Sequence, residues 1–343
     1  MRRVSKIAAA GVVSAALAMT ATACGSSSSS SDSGKNKGVG MAYDVGGRGD
    51  HSFNDSAARG LDKADKEFKL TSKELTASNG ETESDREQRL DSLAAAGYNP
   101  VVAVGFTYGD AVTKIAKKYP KTTFGIVDSV VDSANVDSMV FATEQSSYLA
   151  GVAAALKTKS GQVGFIGGVH NTLTGTFQAG FDQGVKDTKP SVKVTDQYLY
   201  ETDTKGFNDP TSAQGKAQGM LDGGIDVIYT AAGLSGDGSI QAVAAKTGAW
   251  AIGVDSDQYA DPALAKYKGS ILTSAIKNVD VATYDLIKSV QDGKPKTGTN
   301  TYDLANDGVS VSPSGGFIAD IQSQLDTAKQ KIISGQIKVS STP

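Results

Sequence analysis

Charged and aromatic residues occur where several strand-like segments of the sequence end. Asp44, Asp128 and Asp255 each follow such a segment, and Lys277 follows a fourth. Glycines and aromatic residues follow other segments, at Gly105, Phe106, Gly168, Phe207 and Gly233. Loops are generally polar and rich in glycine, so one such residue is weak evidence of a site. Together they form a set that could hold a small ligand through hydrogen bonds and ring contacts.

The loop after the first strand-like segment, residues 44–55, reads DVGGRGDHSFND. Its three glycines permit positive φ angles and allow backbone amides to approach a ligand. Ser52 precedes a helical pattern and Asp55 comes three residues later, which approximates a capping box. We therefore expect these two residues to cap the helix. Phe53 lies in the first turn of that helix, and its position taken alone favours a core residue.

The catalytic and metal-binding motifs considered do not fit this sequence. The segment GLSGDG at 233–238 lacks the lysine and hydroxyl residue of a phosphate-binding loop. The segment DSDQYAD at 255–261 has Ala260, and later Lys266, where a calcium loop needs glycine and glutamate. One cysteine and two histidines in polar loops exclude a Cys/His zinc site and leave no Ser-His-Asp arrangement. We expect no catalytic residue, metal or cofactor.

The elements that must position these residues alternate between short apolar runs and longer amphipathic stretches. This alternation predicts parallel sheets with helices on both faces. It falls into two similar sets, before and after about Gln145, which predicts two doubly wound α/β lobes facing across a cleft. Ligands of such sheets bind outside the carboxyl ends of the strands. The predicted strands are 39–43, 73–77, 100–105, 122–127, 138–143, 162–168, 192–199, 225–231, 250–254 and 270–276.

The N-terminus has the pattern of a bacterial lipoprotein. Arg2, Arg3 and Lys6 precede a short apolar run, which predicts a signal peptide over 1–23. Small residues then lead to Cys24, the chain's only cysteine, where a lipoprotein signal has its lipidated cysteine. The polar tract after it predicts a flexible tether, so that 24–37 join a lipid anchor to the folded part. The alternative is an ordinary secreted protein with a stray thiol.

The charge of the chain is nearly balanced, with 34 basic and 37 acidic residues. The sequence contains no stripe of basic residues of the kind that would indicate a nucleic-acid partner.

Four spaced motifs resemble the basic membrane protein (BMP) family: DHSFND at 50–55, FATEQSSYLAG at 141–151, FNDP at 207–210 and GVDSDQ at 253–258. The family comprises bacterial lipoproteins that serve as substrate-binding components of ABC importers, and its best understood members are purine nucleoside receptors. The resemblance spans about 40–335. It implies the type I periplasmic-binding-protein fold, with two lobes joined by three crossovers. We expect 38–144 plus about 277–297 in the first lobe, and 145–276 plus about 298–343 in the second.

The resemblance also implies a set of ligand-binding residues. In the family two aromatic rings sandwich the base, and acids, an asparagine and a lysine bind the ribose. The loop 170–176 departs from the family's commoner sequence, which has an arginine there. The matching positions are Asp44, Phe53, Asn54, Asp128, Phe207, Gly233, Asp255 and Lys277.

The expected function is therefore that of a monomeric receptor on the extracytoplasmic face of the cell membrane. It would be lipid-anchored through Cys24, bind adenosine, guanosine or inosine, and deliver the nucleoside to ABC permease subunits. One alternative is a receptor for a free pentose, from which only the stacking pair Phe53 and Phe207 distinguishes it. Another is a nucleoside hydrolase, since DVGGRGD at 44–50 loosely matches the acidic calcium loop of those enzymes.

Overall fold

A computed structural model describes residues 37–343. The predicted signal peptide, Cys24 and nearly all of the predicted tether lie outside the described residues. Within 37–343 no helix combines the length and apolar character needed to cross a bilayer.

Strands and helices alternate along the described chain, as the sequence pattern predicts. The strands are β1 (Val39–Tyr43), β2 (Ser72–Thr76), β3 (Val101–Val104), β4 (Phe124–Val127), β5 (Val136–Phe141), β6 (Gln162–Val169), β7 (Lys193–Tyr200), β8 (Val227–Ala231), β9 (Trp250–Asp255), β10 (Ile271–Lys277), β11 (Gly298–Tyr302) and β12 (Val309–Val311). The helices are α1 (Phe53–Phe68), α2 (Glu83–Ala95), α3 (Gly109–Lys118), α4 (Thr143–Lys157), α5 (Thr172–Thr188), α6 (Pro210–Asp222), α7 (Gly236–Ala244), α8 (Val279–Gln291) and α9 (Gln322–Ile333).

The strands form two six-stranded sheets. The first has the order β11-β5-β4-β3-β1-β2 and is parallel throughout. The second has the order β12-β10-β9-β8-β6-β7, in which only β12 runs antiparallel. The chain passes between the sheets after β5, after β10 and after β11, so the predicted fold of two α/β lobes with three crossovers is confirmed.

Each sheet is covered by helices on both faces, which is why its central strands are continuous apolar runs. In the first lobe, α1 and α8 pack on one face and α2 and α3 on the other. In the second lobe, α4 and α5 cover one face and α6 and α7 the other. The carboxyl ends of the parallel strands of both sheets are left for the loops that carry the candidate site.

The predicted lobe boundary is wrong near the third crossover. Near the second crossover, β10 of the second sheet ends at Lys277, within one residue of the predicted boundary. Strand β11 pairs with β5 in the first sheet, although we expected residues from about 298 onward in the second lobe. The sequence GTNTY of β11 is polar and only Tyr302 is buried. Such an edge strand gives almost no hydrophobic pattern to recognise.

Helices α4 and α5 approach each other unusually closely, and this contact places the start of α5 at the cleft. A Cβ atom added to Gly180 or Gly184 would lie 2.1 Å from a backbone oxygen of α4. Side chains at these positions would force the helices apart. The two glycines therefore fix the position of the first turns of α5, which carry Leu173 and Phe177.

Candidate ligand-binding site

A cavity lies between the two lobes at the carboxyl ends of their strands. It contains about 550 Å³ of space not filled by protein atoms, part of it open to solvent. All eight residues that the resemblance singled out line it. The lining residues are Asp44, Val45, Asp50, Phe53, Asn54, Gly105, Phe106, Asp128, Leu173, Thr174, Phe177, Phe207, Ala231, Gly233, Val254, Asp255 and Lys277.

Asp50 organises the loop that opens the site. Its carboxylate is 1% exposed and accepts backbone N–H bonds from Ser52, Asn54 and Asp55, at 2.8 to 3.0 Å. It also accepts a bond from the side-chain amide of Asn54 at 2.9 Å. Asp50 thus satisfies the N–H groups that open α1, as a capping residue does.

The predicted capping box of Ser52 and Asp55 is wrong. The Ser52 side chain makes no cap hydrogen bond. Its hydroxyl instead donates across the cleft, to the Val254 carbonyl at 3.1 Å and to Asp255 at 3.0 Å. Asp55 accepts N–H bonds from Gly49 and His51. Asp50 caps the helix in place of Ser52 because its two carboxylate oxygens can accept hydrogen bonds from several N–H groups at once.

Asn54 is part of the same hydrogen-bonded loop. Its side-chain oxygen accepts the Asp44 N–H at 3.1 Å, and its nitrogen donates to the Val45 carbonyl and to Asp50. Both amide hydrogens are therefore used inside the protein. Asn54 fixes the position of Asp44, and only its oxygen keeps a lone pair that could face a ligand.

Aromatic rings come to the cavity from both lobes. Phe53 is half-buried. One side of its ring packs against the first-lobe core, as its place in the helix predicts, and the residue also lines the cavity. Phe207 ends a short 3₁₀ helix, Thr204–Phe207, and packs edge to face on Phe106 with ring centroids 6.5 Å apart. A Cβ at position 168 would lie 2.7 Å from the Phe207 ring, so Gly168 makes room for that ring.

Two aspartates that line the cavity share the same backbone conformation. Asp128 directly follows β4 and Asp255 ends β9, and these strands hold equivalent places in the two sheets. Both residues have left-handed backbone, with φ of 66° and 63°. Aspartate tolerates this conformation better than most residues, and such strain is concentrated at functional sites.

Lys277 supplies positive charge to the cavity. Its ammonium group forms an ion pair with Asp128 of the other lobe, and the two side chains are 2% and 4% exposed. The same nitrogen lies 4.7 Å from the centre of the Phe53 ring and 5.8 Å from that of Phe177. Lys277 thus connects the acidic and the aromatic parts of the site, and of the described residues that line it, Lys277 is the only basic one.

The carboxylates of Asp255 and Asp44 are also buried. Asp255 accepts one bond, from Ser52, and its Oδ1 atom is buried without a hydrogen-bond partner among residues 37–343. Asp44 accepts bonds from the Val45 N–H and the Thr107 hydroxyl. A Cβ at position 105 would lie 2.6 Å from the Asp44 carboxylate, so Gly105 leaves the space that this group occupies.

Burial raises the pKa of three of these carboxyl groups to about 6. For Asp44 and Asp50 desolvation is the main cause, opposed by the N–H groups that bind them. For Asp255 desolvation is again the main cause; Lys277 opposes it and the charge of Asp128 adds to it. The free protein therefore holds these carboxylates in an environment that disfavours their charge.

The contribution of α5 to the cavity was not predicted from the sequence. Leu173, Thr174 and Phe177 line the cavity, and the hydroxyl of Thr174 is engaged by the Val169 carbonyl. These residues lie in and just after 170–176, where this chain departs from the family's usual sequence. That departure was the available signal, and the structure places apolar side chains on this flank.

A metal site is not formed by these acids. Within residues 37–343 no group of three or more His, Cys, Asp or Glu side chains is arranged to hold a metal ion. The chemistry available is hydrogen bonding to carboxylates and contact with aromatic rings.

Comparison with known proteins gives consistent matches over the described chain. The family model Bmp, described as "ABC transporter substrate-binding protein PnrA-like", matches residues 37–342. The ABC transporter nucleoside-binding protein BmpA of Lactococcus lactis subsp. cremoris is 36% identical over 315 residues, 87% of each chain. The CD4+ T-cell-stimulating antigen of Listeria monocytogenes is 34% identical over 320 residues, 89% of this chain and 88% of that protein. An ABC transporter solute-binding protein from Aeropyrum pernix K1 superposes with a TM-score of 0.75 at 28% identity, covering 89% of this chain and 93% of that one.

The raised pKa of Asp255 predicts the pH dependence of stability. Because the folded protein binds this proton more tightly than the unfolded chain, whose carboxyl titrates near 3.8, the free energy of unfolding falls as pH rises between about 4 and 6. Asp255→Asn removes that cost and should raise the free energy of unfolding of the ligand-free protein by about 1–3 kcal/mol at pH 7.5. The gain should vanish near pH 4. Denaturant unfolding at both pH values measures it, and a loss of stability at pH 7.5 would contradict the prediction.

Proposed function

Because the chain belongs to the Bmp family of PnrA-like ABC transporter substrate-binding proteins, we propose that it is a receptor that closes on a purine nucleoside and delivers it to an ABC permease. The ligands we propose are adenosine, guanosine and inosine. The observation that carries this proposal is that one interlobe cavity combines the rings of Phe53 and Phe207 with the carboxylates of Asp44, Asp128 and Asp255.

The aromatic part of the cavity suits a flat base. Phe53 comes from the first lobe and Phe207 from the second, and Phe106, Leu173 and Phe177 complete an apolar surround. Stacking of a base on an aromatic side chain contributes about 1–3 kcal/mol. A free pentose has no flat ring system to cover these side chains, so the rings favour a nucleoside over a sugar.

The acidic part suits the ribose. Sugar hydroxyls can donate hydrogen bonds to carboxylates, and the unpartnered Oδ1 of Asp255 is a buried acceptor without a donor among the described residues. Lys277 offsets part of the negative charge through Asp128. A 5′-phosphate would add negative charge to this acidic site, so we propose nucleosides rather than nucleotides as ligands.

We propose binding without catalysis. The family is one of substrate-binding proteins, and rigid-body closure of two lobes around a ligand is the known motion of this class. Asp44 and Asp50, the acids of the calcium-loop pattern behind the hydrolase alternative, accept N–H bonds within their own loop, which favours binding over metal-assisted hydrolysis. We propose a monomer, because one chain supplies both walls of the cavity.

Proteins of this family act outside the cytoplasm as components of ABC transporters, which implies permease partners. We propose that Cys24, outside the described residues, carries the lipid that holds this chain at the extracytoplasmic face of the membrane.

Removal of a stacking ring tests the base site. Phe207→Ala should weaken adenosine binding by about 1–3 kcal/mol, roughly 5- to 150-fold. Phe68→Ala is the matched control, since Phe68 is a half-buried ring of α1 that packs on Tyr284 away from the cavity. Calorimetric titration with adenosine and with free ribose measures both variants and the unmodified protein. Equal affinity of the unmodified protein for ribose and adenosine would identify a sugar receptor instead.

Removal of a carboxylate tests the ribose site. Asp255→Ala should cost about 1–3 kcal/mol of adenosine affinity, because a buried sugar hydroxyl loses its acceptor. The variant should also lose the preference for adenosine over its 2′-deoxy or 3′-deoxy analogue. Asp257→Ala is the control, since Asp257 is two residues away, accepts a bond from Ser314 and does not line the described cavity. An unchanged preference for both analogues would remove Asp255 from the ribose site.

The lipid anchor is tested by Cys24→Ser. Two acyl chains on the cysteine would hold the protein stably on a membrane, whereas a serine there cannot be lipidated. We expect the variant in the soluble fraction after cell lysis and the unmodified protein in the membrane fraction. A variant that stays with membranes through a high-salt wash shows that another segment attaches the chain.

A further inference from the structure

The loop before α1 is hydrogen-bonded to the second lobe outside the ligand cavity. The Ser52 carbonyl accepts the Ser256 hydroxyl at 2.6 Å, and the His51 carbonyl accepts the Gln258 side-chain amide at 3.1 Å. Ser256 also accepts a bond from Arg59 of α1 at 3.0 Å. Since the two lobes contribute opposite partners, these bonds form only when the lobes are closed.

One ionisable pair belongs to the same interface. Nδ1 of His51 lies 2.8 Å from Oδ2 of Asp237, in the first turn of α7. The two side chains are 23% and 12% exposed, so water screens their interaction only partly. The other carboxylate oxygen of Asp237 is buried without a hydrogen-bond partner among the described residues. Asp237 thus depends on His51 for the pairing of its charge.

The pair is close to the site without being part of it. Within the described chain, neither His51 nor Asp237 is among the residues that line the cavity. Yet His51 is bonded through Ser52 to Phe53, whose ring lines it, and the backbone of His51 is held at a left-handed φ of 53°. A contact between His51 and the second lobe therefore fixes the position of the Phe53 loop in the closed form.

We propose that His51 and Asp237 are positioning residues that latch the two lobes together, so that the closed, ligand-holding form is favoured when His51 is protonated. This inference rests on the proposed binding of a nucleoside for its ligand measurements. According to this inference, His51 and Asp237 influence how tightly the ligand is retained without contacting it.

The charges around His51 set the direction of the pH effect. Burial lowers the pKa of His51, but Asp237 of α7, Asp261 after β9 and Asp55 of α1 together raise it above the ordinary 6.5. Burial raises the pKa of Asp237 above 3.8, and His51 opposes that rise. At pH values between the pKa of Asp237 and that of His51, both residues of the latch are charged. Its contribution to closure is lost as pH rises through the raised pKa of His51.

The chain has two histidines, which gives a matched control. His170 also pairs with a carboxylate, that of Glu201 at 3.0 Å, but both residues are exposed and belong to the second lobe. His51→Gln keeps a hydrogen-bond donor and removes the charge, and His170→Gln makes the same change where no interlobe contact is involved.

Calorimetric titration with adenosine tests the latch. The ratio of the dissociation constant of His51→Gln to that of the unmodified protein should be about threefold to fivefold near pH 6 and approach one near pH 8.5. The same ratio for His170→Gln should stay near one throughout. Titration of the acids in the cavity affects all three proteins alike, so it cancels in the ratios. A His51→Gln ratio that does not vary with pH overturns the latch.

A second measurement separates the latch from the choice of ligand. In NMR titrations, His170→Gln shows which of the two imidazole signals belongs to His51, and Asp237→Asn should lower the pKa of His51. An unchanged pKa of His51 overturns the proposal. If the unmodified protein binds no adenosine at any pH, the nucleoside proposal fails, and the latch is judged by this NMR comparison on the free protein.

Discussion

The ion pair between Lys277 and Asp128 is the interaction on which the closed arrangement depends. It joins the last residue of β10 in one lobe to the residue after β4 in the other, and both side chains are almost inaccessible to water. An unpaired buried charge is very unfavourable, so once the lobes are closed each partner requires the other. The rings of Phe53 and Phe177 surround the ammonium group. The position of the acidic end of the cavity relative to its aromatic walls is thereby set by one lysine.

The two lobes present their residues around this lysine with similar backbone conformations. Asp128 and Asp255 adopt left-handed conformations after equivalent strands, and Gly105 and Gly233 follow the adjacent strands β3 and β8, also with positive φ. At these points the chain must turn sharply while presenting a side chain or a bare backbone to the cleft. Residues that tolerate positive φ meet both requirements. Similar strand-to-loop junctions in the two lobes therefore carry much of the site.

The strands of both central sheets could be predicted from the sequence because their apolar runs are strong. Six of the eight proposed ligand residues follow predicted strands, whose carboxyl ends meet at one edge of a parallel sheet. Phe53 and Asn54 were identified only by the resemblance to the family. The sequence did not reveal β11, a largely polar strand, or β12, which has only three residues; both pair at sheet edges. Nor did it reveal that Asp50 rather than Ser52 caps α1, since this depends on Ser52 bonding to the opposite lobe. Phe177 was not predicted at the cavity because its position there results from the close packing of α5 on α4, which is a tertiary contact.

The buried acids also explain why such a site would respond to its ligand. Asp44, Asp50 and Asp255 have raised pKa values because they are buried, and the hydrogen bonds and charges around them offset this burial only in part. Natural proteins retain such unfavourable groups where function requires them. In the proposed complex, hydroxyl groups of the ligand would donate to Oδ1 of Asp255, which has no donor among residues 37–343, and the flat ring would contact the apolar side chains of the cavity. Each of these proposed contacts would require both lobes and the ligand, so the ligand itself would stabilise the closed form, and a compound that lacks either the hydroxyls or the flat ring would stabilise it less.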